Sequence, residues 1–155
     1  MSNRIGGKIA VITGATSGIG LATAKLFVAE GAHVYITGRH LNSLKAAQDA
    51  IGSNGTCIQA DSTQAGDLDR LFEKIKAEAG RIDVLFANAG GGTMLPLGQI
   101  TEEQVDDTFG QNVKAMVFTV QKALPTIAKG GSIILTGSRA SIEGNAGFRI
   151  NSASK

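Results

Sequence analysis

Residues 8–20 read "KIAVITGATSGIG", and "LATAKLFVAEG" (21–31) follows. A short apolar run gives way to glycines, and the glycines give way to apolar residues at helical spacing. This is a strand, a tight turn and a helix in immediate succession. The glycine spacing is G-x-x-x-G-x-G, at Gly14, Gly18 and Gly20. Gly14 permits the sharp turn out of the strand. Gly18 and Gly20 let the backbone approach a pyrophosphate and let the helix pack closely on the sheet. A helix that starts here turns free N–H groups and its positive dipole end toward an anion. No G-K-[ST] closes the loop, so it is not a P-loop, and nucleoside triphosphate hydrolysis is disfavoured.

The same alternation continues along the chain. "HVYIT" is a second strand, "TCIQA" a third, "DVLFA" a fourth and "SIILT" a fifth. Between them lie helical patterns. The first carries Ala22, Leu26 and Ala29 on one face and stops at Gly31. The second carries Leu44, Ala47 and Ile51, and the third Leu68, Leu71, Phe72 and Ile75. The stretch "TEEQVDDTFGQNVKAMVFTVQKALPTIAKG" reads as one long helical region, opened by the capping pair Thr101 and Gln104 and bent at Gly110 or Pro125. Strands alternating with helices mean βαβ units and a parallel sheet. The strands are continuous apolar runs, as expected of strands covered on both faces. The expected fold is a three-layer, doubly wound α/β domain, one unit over residues 1–155.

In such a sheet ligands bind outside the carboxyl ends of the strands. Small or polar residues follow all five: the glycine loop after the first, Gly38 and Arg39 after the second, Asp61 and Ser62 after the third. Asn88, Ala89 and Gly90 follow the fourth, and Gly137 and Ser138 the fifth. One such end means little; five in register point to a dinucleotide-type site. The second end selects the cofactor. An acid there would bind a ribose 2′-hydroxyl, whereas a small residue followed by a guanidinium suits a 2′-phosphate. The expectation is NADP(H) in preference to NAD(H). The missing acid also counts against an S-adenosylmethionine site.

Composition narrows the class. Charged residues make up 18% of the 155 and hydrophobic residues 43%, which suits a folded globular chain. Glycine, at 21 residues, is about twice its usual share of ~7%. The net charge of +2 is spread along the chain, which argues against a nucleic-acid partner. Cys57 is the only cysteine, so no internal disulfide forms and a reducing compartment is expected. No apolar run reaches a membrane span and the N-terminus has no signal-peptide pattern, so the expected location is cytoplasmic. No metal site is read. His33 and Tyr35 fall in the second strand, Tyr35 in the core. The stripe Met116, Val117, Val120 and Leu124 is expected to be core or subunit contact.

The motifs "TGATSGIG", "NAG" at 88–90, "NVKA" from Asn112, "GSIILTGS" ending at Ser138, and "SASK" ending at Lys155 together resemble the short-chain dehydrogenase/reductases. The order and spacing agree along the whole chain. The resemblance implies a Rossmann-type fold with strand order 3-2-1-4-5. It also implies hydride transfer between NAD(P) and a small alcohol or carbonyl substrate. With that order the apolar fifth strand becomes an edge that invites pairing with another chain, so a homo-oligomer is expected. The resemblance implies that Gly14, Ser17, Ile19 and Gly20 line the phosphates, that Asp61 meets the adenine, and that Asn88, Ala89 and Gly90 border the cofactor. Asn88 would also tie the central strands. Asn112, Ser138 and Lys155 would be three members of a catalytic tetrad. Plainer readings stand beside these: Asp61 as a turn cap, Ser138 as a strand-end turn serine, Arg39 as a surface arginine.

The fourth member of the tetrad is the exception. The family pattern is Tyr-x-x-x-Lys, and here position 151 is asparagine. Tyrosine can exchange a proton with a carbonyl oxygen when a neighbouring ammonium lowers its pKa; an amide carries no titratable proton. The family also continues past this point, so the expectation is a chain truncated at its C-terminus. The alternative to an active oxidoreductase is a catalytically impaired dinucleotide-binding module.

Overall fold

The computed structural model describes residues 3–143 and 147–155. Its sheet has five parallel strands: β1 (Ile9–Ile12), β2 (His33–Gly38), β3 (Gly55–Gln59), β4 (Ile82–Ala87) and β5 (Ile127–Leu135). Their order is β3-β2-β1-β4-β5, the expected one. The order reverses beside β1, where the chain first winds toward β2 and later returns to place β4 on the other side. Helices α1 (Gly18–Ala29) and α2 (Leu41–Ile51) cover one face. Helices α3 (Ala65–Ala79) and α5 (Ala115–Ala123) cover the other. Helix α4 (Glu102–Phe109) leads into α5, and α6 (Arg149–Ala153) closes the described chain.

Strand alternation builds both cores. Ala10 and Ile12 face α1 and α2, together with Val34 and Ile36 of β2. Val11 and Tyr35 face the other way, onto Leu68, Leu71, Phe72 and Ile75 of α3. That apolar face of α3 is the one the sequence spacing predicts. Gly80, at φ 72°, ends α3 and returns its N–H to the Lys76 carbonyl at 3.1 Å. The faces of α2 (Leu44, Ala47, Ile51) are likewise as expected.

Two expectations are corrected. Helix α1 does not bury Ala22, Leu26 and Ala29; all three are exposed, and Gly20 and Ala24 face the sheet with Leu21, Phe27 and Val28 beside them. The helix is apolar on most sides, so spacing alone fits more than one face. Small residues win because they let the helix axis approach the strands. The long helical region is also shorter than its pattern. It passes through a single π-helical turn at Gly110–Lys114, and α5 stops at Ala123. Pro125 then lies in the 3₁₀ turn Leu124–Thr126, and β5 starts at once at Ile127. Proline lacks the N–H that another helical turn requires. The fifth strand is therefore longer than "SIILT" and much of it is exposed.

At the end of the sheet away from the glycine loop, Asp83 joins β1 to β4. Its carboxylate accepts from the Ile9 N–H at 2.9 Å, Arg81 Nε at 3.1 Å and Lys8 Nζ at 3.3 Å. Burial alone would raise its pKa, but the Ile9 N–H and the two cations outweigh burial and hold it below the ordinary carboxylate value. Its stabilising effect is therefore present above the unfolded-state pKa of ~3.9 and is lost as the pH falls through the lower folded value. Asp83→Asn should cost about 1–2 kcal/mol at neutral pH, toward the low end because both cations are half exposed. Thermal melts of the two proteins from pH 7 to pH 2 should converge at the acid end; a constant gap would show that the charge is not the cause.

Candidate functional site

At the carboxyl edge of the sheet the strand ends enclose a cleft of about 240 Å³. It is lined by Gly14, Thr16 and Ser17 after β1, by Thr37, Gly38, Arg39 and His40 at β2, and by Ala60, Asp61, Ser62 and Thr63 after β3. Asn88, Ala89 and Gly90 after β4 complete it, with Gln111 and Ala115. Nine of the twelve residues expected at a cofactor thus meet in one cavity. Gly18, Ile19 and Gly20 do not line it. Ile19 is exposed, and Gly20 is buried against Ala15 and Asn88.

Glycine is required where backbones meet. Gly14 has φ 62°, and a Cβ there would lie 2.8 Å from Ala89 Cα. A Cβ on Gly38 would lie 2.4 Å from Thr16 Cγ2. The missing side chain at residue 38 therefore lets Thr16 pack closely on the end of β2, and Arg39 beside it stands exposed at the cleft. Ser17 precedes α1 with extended backbone, and its side chain makes no capping hydrogen bond. The first-turn N–H groups of α1 are thus not capped by that serine.

Asn88 holds three strands together. Its Nδ2 donates to the Thr13 and Gly14 carbonyls at 3.1 and 3.2 Å, and its Oδ1 accepts from Thr136 Oγ1 at 3.2 Å. Thr13 Oγ1 accepts from the N–H groups of Asn88 and Ala89, each at 3.1 Å. Thr37 does the same for the glycine loop, accepting from the Gly14 N–H at 3.3 Å. Asp61 serves as a turn residue as well as a wall: Oδ1 accepts from Thr63 N and Oγ1 at 2.9 and 2.8 Å.

Three of the four expected catalytic positions gather at residues 90–92. Asn112, 3% exposed in the π-helical turn, pairs both amide atoms with the Gly91 backbone at 2.9 Å. Asn151 Nδ2 donates to the same Gly91 carbonyl at 3.2 Å. A Cβ on Gly90 would lie 2.8 Å from Asn112 Oδ1 and 3.2 Å from Lys155 Nζ, so the lysine ammonium and the amide oxygen flank that glycine. Partial burial pushes the Lys155 ammonium below its usual pKa. Ser154, missed by the sequence reading although it adjoins Lys155, joins the group: Asn112 Nδ2 donates to its Oγ at 2.7 Å, and that hydroxyl donates to the Asn151 carbonyl at 2.8 Å. Ser138 is not with them. It is exposed, and its Oγ accepts the Ala140 N–H at 3.1 Å, the plainer turn-serine role.

The stripe Met116, Val117, Val120 and Leu124 is not simply core. Val117 and Leu124 are exposed, and the four line a surface groove with Leu135 of β5. The core side of α5 is made by Ala115, Thr119 and Ala123.

A sequence profile described as short chain dehydrogenase matches residues 8–155. Oxidoreductase asL5 of Sarocladium schorii is 51% identical over 154 residues, covering 98% of this chain and 62% of that protein. Galactitol 2-dehydrogenase of Agrobacterium fabrum is 36% identical, with 98% and 60% covered. A crystal structure of a short chain dehydrogenase from Burkholderia cenocepacia in complex with NADP superposes with a TM-score of 0.91 at 34% identity, covering 99% of this chain and 64% of that one. The chain spans about 60% of the length of the curated relatives it matches.

Proposed function

The chain belongs to the short-chain dehydrogenase family, and from that premise we propose that it serves an NADP-dependent oxidoreductase acting on an alcohol or carbonyl compound. The observation that carries the proposal is the cleft where Gly14, Gly38–Arg39, Asp61 and Asn88–Gly90 meet. These residues fit a dinucleotide. The glycines leave room for a ligand against backbone, α1 offers N–H groups to phosphates, and Arg39 offers a guanidinium where a 2′-phosphate would lie. Asp61 and Ser62 wall the adenine side. When bound, the nicotinamide supplies or takes up a hydride at the carbonyl carbon, while the oxygen gains or loses a proton. Lys155, beside Gly90, would hold ribose hydroxyls. Asn112 and Ser154 would fix the backbone at Gly91, and Ser138 would meet the substrate oxygen once its turn releases the side chain.

One observation supports a second reading. Asn151 spends its amide N–H on Gly91 and has no titratable proton, so the chain fits a dinucleotide-binding module with impaired catalysis. Both readings share the cofactor preference. A charge-assisted pair between Arg39 and a phosphate is worth ~1.5–3 kcal/mol, roughly ten- to a hundredfold in affinity. Calorimetry should show NADPH bound that much more tightly than NADH, and Arg39→Ala should remove most of the difference. Equal affinities in the unaltered chain would end the NADP assignment.

Self-association is part of the same proposal. Among the described residues β5 pairs with β4 alone, and Ile133, Ile134 and Leu135 are exposed on it. Sedimentation of the purified chain should show dimers or larger species; a monomer at all concentrations would contradict it.

A further inference from the structure

The π-helical turn Gly110–Lys114 brings two neighbouring amides to residues 90–91, and they are used differently. Asn112 is buried and spends both ends of its amide on the Gly91 backbone. Gln111 is half-buried and lines the cleft together with Ala115. Among the described residues its amide has no hydrogen-bond partner. A Cβ added to Gly91 would lie 2.9 Å from Gln111 Oε1. The missing side chain at residue 91 thus lets the Gln111 amide pack closely on the loop after β4.

Nothing in the packing calls for an amide here. An unbranched apolar side chain would fill the same place with no polar end to satisfy. A free donor and acceptor on the wall of a cleft is what orients a polar ligand. Single π-helical turns also gather at functional sites.

The place of Gln111 selects the ligand group. Arg39 and Asp61 follow β2 and β3, on one side of β1, whereas Gln111 packs on the loop after β4, on the other. It stands across β1 from the corner proposed for the 2′-phosphate, next to the glycine that Lys155 flanks. A neutral amide both gives and accepts hydrogen bonds, and so does a ribose hydroxyl.

We infer that Gln111 is a cofactor-binding residue whose amide hydrogen-bonds a ribose hydroxyl common to NADPH and NADH. This contact rests on the proposed dinucleotide site and adds affinity without adding preference.

Gln111→Met tests it, because methionine keeps the length of the side chain and removes its polar end. Calorimetry should show NADPH, NADH and ADP-ribose each bound about three- to tenfold more weakly than by the unaltered chain. Arg39→Ala is the contrast and should weaken NADPH alone. Thermal melts of the ligand-free protein should be the same with and without Gln111→Met, which separates a ligand contact from a role in the fold. Unchanged affinity for all three ligands in Gln111→Met overturns the inference. A loss confined to NADPH overturns it too, since the amide would then meet the 2′-phosphate, and so does a loss for both cofactors that spares ADP-ribose. Firm binding by the unaltered chain beside an indifferent Gln111→Met sinks the Gln111 contact alone. No binding of any of the three by the unaltered chain sinks the dinucleotide reading, and this contact with it.

Discussion

Asn151→Tyr, in a chain extended to the length of its relatives, is expected to raise NADPH-dependent ketone reduction by about 10²–10⁴-fold. That is the usual worth of a positioned general acid. The physical reason lies in what an amide can do. Asn151 can orient a carbonyl and can tie itself to Gly91, as it does at 3.2 Å, but it has no proton to give at neutral pH. A phenol at the same position would stand four residues before Lys155, which lies just past the end of α6 with its ammonium beside Gly90, and a nearby ammonium lowers a phenol's pKa. The substitution also releases the hydrogen bond to Gly91, so cofactor affinity should be measured in parallel to separate chemistry from binding. If the asparagine form already turns over as fast as the tyrosine form, another group is the acid and the role assigned to position 151 is wrong. If neither form turns over while both bind NADPH, the impaired-module reading gains.

The second large effect concerns the glycine loop. Gly14→Val should lower stability by about 2–5 kcal/mol and abolish measurable NADPH binding. Two costs combine. Gly14 is at φ 62°, where an L-residue loses about 1–2 kcal/mol. Its Cβ would also stand 2.8 Å from the Ala89 backbone, and such overpacking typically costs about 1–3 kcal/mol. Gly18 offers the contrast. It has φ 54°, yet a Cβ there meets no atom within 4 Å. Gly18→Ala should therefore show the backbone cost alone, about 1–2 kcal/mol. Thermal denaturation of the three proteins separates crowding from strain. Equal losses at the two positions would mean that the close approach of the first turn to the fourth strand end contributes nothing.

Much of this arrangement was legible from residue order, and the parts that were not have physical reasons. Helix α3 was clear because Leu68, Leu71, Phe72 and Ile75 are its apolar face and polar residues fill the rest. Helix α1 was misread because apolar residues surround it, and only the tight fit of Gly20 and Ala24 against the sheet decides the face. The start of β5 was hidden inside a helical pattern that Pro125 interrupts, since "TIAK" fits either period until the pairing of Ile127 with Ile82 selects the strand. The strand-end residues were legible because a parallel sheet brings every carboxyl end to one edge. The hydrogen-bonding roles of Thr13, Thr37 and Ser154 were not legible, because a hydroxyl acquires its role only when segments distant in sequence lie side by side. Ser138 had the right position in the chain, yet its side chain closes its own turn.

The strand ends are proposed to form the binding site of a phosphorylated dinucleotide. The most direct measurement is the set of backbone amide shifts in a ¹⁵N-labelled sample titrated with NADPH. Saturable changes are expected at Gly14, Ser17, Arg39, Asp61, Asn88, Ala89 and Gly90, with smaller ones at Arg39 when NADH is used. Changes confined to the Met116–Leu124 groove, or none at millimolar NADPH, would contradict it.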